Sequence, residues 1–158
     1  MITTRIQVKP HLKEYIAGKY NQFSDRKVIF PDNLDIYHVI FNLTEKRPKE
    51  CAVDSGNLEI ALPNRYGSKH PETYNYLSIR SQKIIEQKLE VMFWADFRDY
   101  VDFEIHRNGT SCIESIFRFM KRYDIQSISE DALKKNYYRW RKKVRNQAKR
   151  GYNVKKNQ

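Results

Sequence analysis

The spacing of apolar residues changes period several times along the chain. Ile2, Thr4, Ile6 and Val8 alternate with Thr3, Arg5 and Gln7, the two-residue period of a short strand. Pro10 suits the first turn of a helix, where its missing N–H has no partner to lose. That helix is predicted to run to about Tyr20 with Leu12, Tyr15 and Ile16 on its inner face. Lys27–Phe30 is a second short apolar run, closed by Pro31. Asp32 or Asn33 can then cap a helix over roughly Leu34–Glu45, burying Ile36, Val39, Ile40 and Leu43 before Pro48 stops it. Ser55-Gly56 reads as a turn, and Leu58, Ile60 and Leu62 alternate as a third strand within residues 57–63.

The period lengthens after residue 70. From Glu72 to about Phe103 there is neither Gly nor Pro, and Leu77, Ile84, Ile85, Leu89, Met92, Phe93, Phe97, Tyr100 and Val101 recur at three- and four-residue steps. This predicts one long helix over 72–103, or two joined at a kink, with Trp94 inside its broad apolar arc. Ser111 and Glu114 have capping-box spacing at the start of a helix over 111–123, with Ile113, Ile116, Phe117 and Met120 inward. Ser127 and Glu130 repeat the spacing, with Ser129 as the alternative cap. A last helix over 128–150 follows, ended by Gly151.

The pattern implies an α+β fold, mostly α. A small N-terminal unit (1–70) holds a three-stranded sheet and two helices, and a helical unit (71–158) follows. Hydrophobic residues make up 40% of the 158 positions, enough for a packed core, and five Gly and five Pro exclude collagen-like or linker-like chains. Cys51 and Cys112 lack metal or redox spacing, and no apolar stretch has the length of a membrane span or secretory leader. A reducing cytoplasm, with no membrane partner, is the expected setting.

Charge changes the picture most. The net charge is +11, and residues 129–158 hold eleven Lys/Arg against Glu130 and Asp131, leaving +2 for the preceding 128 residues. At 100° per residue, Leu133, Tyr137, Trp140 and Val144 form a docking stripe on the last helix. Lys135, Arg139, Lys142, Asn146 and Lys149 lie opposite, with Lys134, Tyr138, Arg141 and Arg145 along one flank. Acids that would pair such charges at i,i+4 are missing after Asp131, and like charges on one helix repel unless an anion relieves them. Phosphates are the fitting anion, since Lys and Arg release condensed counterions on binding them, and Arg and Asn can also read base edges. A solvated basic face, an acidic protein and an acidic lipid surface are the competing readings. The expected partner is nucleic acid, DNA ahead of RNA, and a homodimer is compatible with this.

A short helix over 113–123, a tight break and a second helix with an acidic start and a basic exposed face resemble a helix-turn-helix. Residues 128–141 would be its recognition helix, and the long helix ending near Phe103 its support. The break lacks glycine and the second helix exceeds the usual length of such modules. The whole chain is similar to small basic proteins of transposable prophages. That resemblance implies transcription regulation or a replication- or transposition-linked DNA role and identifies no catalytic residue.

Enzyme chemistry finds little footing. Asp96, Asp99, Asp102 and Glu104 cluster in sequence as hard oxygen ligands would, but Arg98 and Tyr100 interleave, and a solvated or salt-bridged face is the expectation. His11, His38, His70 and His106 are scattered, so neither zinc nor any other cofactor is expected. Tyr137-Tyr138-Arg139 lacks the constellation a tyrosine nucleophile needs, and the glycines form no phosphate loop.

Overall fold

A computed structural model describes residues 1–20 and 27–156, with side chains described only as far as Gly151. Three strands and five helices follow in the order β1 (Thr3–Ile6), α1 (Pro10–Tyr20), β2 (Lys27–Val28), α2 (Asp35–Leu43), β3 (Leu58–Ala61), α3 (Ile79–His106), α4 (Cys112–Arg122) and α5 (Glu130–Lys156). The fold is α+β and mostly α.

The sheet has the order β1-β3-β2. β1 runs antiparallel to β3, with Thr3 opposite Ala61 and Ile6 opposite Leu58, while β2 runs parallel to β3 with Val28 opposite Ile60. Alternation turns Ile6, Val28, Leu58 and Ile60 to the core. Gly56 precedes β3 where a Cβ would sit 2.3 Å from the Ile6 carbonyl oxygen, so only glycine lets the two backbones approach there.

α1 begins at Pro10 and buries Leu12, Tyr15 and Ile16, as its pattern predicts. α2 is shorter than expected and buries Ile36, Ile40 and Phe41, leaving Val39 and Leu43 half-buried. Neither Asp32 nor Asn33 caps it: the N-cap is Leu34, with no side-chain hydrogen bond. Residues 72–78 are not helical. Tyr76 instead pairs with Glu45 through two backbone hydrogen bonds, 3.0 and 3.2 Å long, and α3 starts after its true cap, Ser78, whose hydroxyl accepts from the Ser81 N–H.

α3 is one unbroken helix of 28 residues, roughly 42 Å at 1.5 Å per residue. Ile85, Leu89, Phe93, Phe97 and Val101 form its buried stripe at four-residue steps. α4 is capped by Ser111, which accepts from the Glu114 N–H, but its inner face is Ser115, Ile116 and Phe119. Ile113 and Phe117, expected inside, are 59% and 49% exposed. Phe119 displaces them by entering an aromatic cluster, with Phe97 at 5.3 Å, Tyr100 at 5.7 Å and Tyr123 at 5.2 Å between ring centroids. Ser115 next to it donates its hydroxyl to the Ser111 carbonyl, which permits a polar residue to be buried there.

The α4–α5 break does without glycine because Asp124 takes the left-handed conformation at φ 50°, which Asp tolerates better than most residues. The break is held from outside. The Glu14 carboxylate on α1 accepts from the N–H groups of Gln126 and Ser127 at 3.0 and 3.1 Å and from the Ser127 hydroxyl at 2.6 Å. Ser127 is thereby occupied, and Ser129 caps α5 by accepting from the Ala132 N–H. One cluster of buried side chains runs from Ile6 through Tyr15, Phe93 and Phe119 to Tyr137, crossing the loop that separates the two stretches of sequence.

Candidate nucleic-acid interface

α5 is anchored by its first half. Leu133 and Tyr137 are buried and Trp140 is half-buried, so the predicted docking stripe holds over two turns. It then fails: Val144 is 36% exposed, and residues 142–151 are all exposed. α5 does not stop at Gly151 but continues to Lys156, because Gly151 keeps a negative φ and forms no left-handed cap. The distal part of the helix is therefore an arm rather than a docked element. From Arg139 to Lys156 it carries nine Lys/Arg and no acid.

Two contacts clamp the anchored half to α3. The Arg98 guanidinium lies 5.9 Å from the Trp94 ring and 6.0 Å from the Trp140 ring, and donates to Asn136 Oδ1 from Nε and Nη2 at 3.2 and 3.0 Å. Burial there pulls the Arg98 pKa below its ordinary value. On the other side Asp102 accepts from the Tyr137 hydroxyl at 2.9 Å and pairs with Arg141 at 3.3 Å and His106 at 3.4 Å. Burial first, and the Asp102 hydrogen bond second, push the Tyr137 phenol well above its usual range.

The predicted site residues divide accordingly. Arg141 has an acid after all, supplied by α3 rather than by its own helix, and Lys135 pairs with Asp131 at 2.8 Å. Lys134 is half-buried beside Ile113 and Ile116 of α4. Arg139, Lys142, Arg145 and Lys149 are exposed, and among the described residues none has a carboxylate within 4 Å. Tyr138 is 52% exposed, and the Cys112 thiol beside it raises its phenol pKa.

Tyr138, Arg141, Lys142, Arg145, Asn146 and Lys149 line one side of a groove of about 660 Å³. The opposite side is the end of α3 and the first turn of α4, with His106, Thr110, Ser111 and Cys112. Lys134, Lys135 and Arg139 lie outside it. Sequence reasoning does not reach this opposing wall. The capping box at Ser111 and the i,i+4 spacing of Asp102 and His106 are its only traces along the chain.

The carboxylates of α3 do not converge. Asp96 accepts from Tyr15 and Lys19 of α1, Asp102 faces α5, and Glu104 takes Asn108 at 3.0 Å, Thr110 at 3.1 Å and Arg118 of α4 at 3.5 Å. These three are committed to different partners, and Asp99 is exposed to solvent. Among the described residues, no group of three His, Cys, Asp or Glu side chains is placed to hold a metal ion, and no helix is long and apolar enough to cross a membrane. Comparison with known protein families, curated proteins and solved structures finds no match to this chain.

Proposed function

We propose that the protein is a DNA-binding regulatory or accessory factor, not an enzyme, and that it holds nucleic-acid phosphates along α5. The role fits the replication- or transposition-linked setting implied by the resemblance to prophage proteins. The observation that carries the reading is the charge of the distal arm: nine cations, no acid, and exposed side chains over residues 142–151. Repulsion among these charges opposes extended helix formation. A polyanion lying along the arm removes that cost and gains counterion release.

Binding to duplex DNA, read by fluorescence anisotropy at two salt concentrations, is the test. Affinity is expected to fall steeply with salt. Arg139→Ala, Lys143→Ala and Arg150→Ala together, all exposed on the outward face of α5, are expected to lower the log–log salt slope by about 3, near one unit for each phosphate no longer neutralised. Arg141 is left in place because Asp102 already neutralises part of its charge. Salt-insensitive binding, or an unchanged slope in the triple variant, would refute the proposal.

A second reading, binding of single strands or RNA, draws support from the half-exposed Tyr138 ring, since an aromatic face accepts any base. Competition among duplex DNA, single-stranded DNA and RNA separates the two.

A further inference from the structure

The two sides of the α5 arm differ in shape, and the difference has chemical content. The outward side is convex and bears Lys135 and Arg139, the shape that enters a duplex groove. The other side closes one wall of the recess against the α3–α4 turn. A concave recess cannot enter a groove, but it can receive what protrudes from a strand, namely a base that has left its stack. Its volume, about 660 Å³, is within the roughly 300–1,000 Å³ of clefts that enclose small ligands.

The lining fits such a guest. Tyr138 is a half-exposed ring in the wall, packed at one side against Tyr137 at 5.8 Å between centroids, with Cys112 on the facing wall. Arg141, Arg145 and Lys149 follow at four-residue steps, about 6 Å apart along the helix. That ladder suits consecutive phosphates of one strand better than two strands of a duplex. Arg141 is fixed in advance by Asp102, so part of the ordering cost of binding is already met. On the facing wall Ser111, whose oxygen accepts from the Glu114 N–H, keeps its O–H to donate, and Thr110, which donates to Glu104, keeps its oxygen to accept from a base edge.

Resting on the reading of α5 as a DNA-binding arm, we propose that this recess is a subsite for one unpaired nucleotide. An overhanging or everted base stacks on Tyr138, its flanking phosphates sit on Arg145 and Lys149, and duplex phosphates lie along the outward face of α5. The preferred ligand is then DNA with an unpaired end or a distorted step, rather than uniform duplex.

The test compares two hairpin DNAs of identical stem, one blunt and one with a four-nucleotide single-stranded extension carrying 2-aminopurine. The extension is expected to tighten binding about tenfold, in line with stacking of a single base on an aromatic side chain. The 2-aminopurine emission is expected to be quenched on binding. Tyr138→Ala should abolish both the gain and the quenching, because the ring on which the base stacks is removed. Tyr138→Phe should keep both, because the ring face is retained. Equal affinities for the two hairpins, or quenching that survives Tyr138→Ala, would overturn the subsite while salt-sensitive binding of the blunt hairpin left the broader function standing. Salt-insensitive binding of both hairpins would remove both proposals.

Discussion

His11 shows how one side chain couples this fold to pH. Its ring packs against Phe93 at 5.1 Å between centroids, and its Nε2 is buried with no hydrogen-bond partner among the described residues. Burial lowers its pKa below 6.5; Glu90 pulls it up, Lys9 lowers it further, and Glu14 and Glu86 raise it again without reversing the shift. The unfolded chain therefore takes up this proton more readily than the folded one. The stability that the neutral ring contributes is complete above about pH 6.5 and is lost as pH falls through the lower folded-state value. Urea unfolding at a series of pH values from 7.5 to 5 is expected to show stability declining toward acid. His11→Gln, which cannot titrate, should flatten the difference, and parallel curves for the two proteins would contradict the assignment. Other titratable side chains are structural ties of a different kind. The Tyr15 phenol, raised by burial and then by Asp96, stays protonated and donates to that carboxylate. Lys19 joins the same group, its pKa lowered by burial but raised overall by Asp96.

At the scale of elements, period is legible in the sequence and partnership is not. α1, the sheet and the capped start of α4 follow from spacing because their signals are local: Pro10, alternating Ile6 and Ile60, and Ser111. At α5 the spacing points first to Ser127, which Glu14 occupies, and the alternative Ser129 is the cap. The face of α4 is different. Its apolar residues form one broad arc with Phe117 and Phe119 at opposite edges, so only one of the two can turn fully inward, and the ring cluster around Phe97 and Tyr100 selects Phe119. The start of α3 departs from its pattern for a similar reason, since residues 72–78 lack breakers yet are claimed by the backbone pairing of Tyr76 with Glu45. The candidate site is half visible. Its cations stand in the sequence, but Asp102 lies 39 positions before Arg141, and no spacing rule on one helix joins them. The unpacked arm also defines an experiment. Deleting residues 145–158 removes no described buried side chain, so the stability change is expected to stay within about 0.5 kcal/mol, as for surface changes generally. Salt-dependent DNA binding should be lost in the same protein. A large loss of thermal stability would mean that the arm packs on the body.

For the whole molecule, the question is how a helix so heavily charged at one end stays folded at the other, and α1 is central to the answer. It lies between the sheet and the helices: Tyr15 meets Phe93 at 5.3 Å and Tyr123 at 5.1 Å, and Glu14 holds the break before α5. Gly18 packs so closely that a Cβ there would sit 3.0 Å from the Tyr123 backbone. The sheet, α1, α3, α4 and the first turns of α5 thus share one core, and loss of any part exposes the rest. Such a body should unfold in a single step, as small domains with continuous cores do. Trp94 and Trp140 both sit in the helical half and report on the α3–α5 clamp, whereas far-ultraviolet circular dichroism sums over the chain. Their urea transitions are expected to coincide. Ile60→Ala, a truncation in the sheet far along the chain from either tryptophan, should cost about 2–5 kcal/mol and move both transitions together. A tryptophan transition that stays in place while the dichroism shifts would show that the helices stand without the sheet, and the anchoring of the basic arm would then have to be sought in α3 and α4 alone.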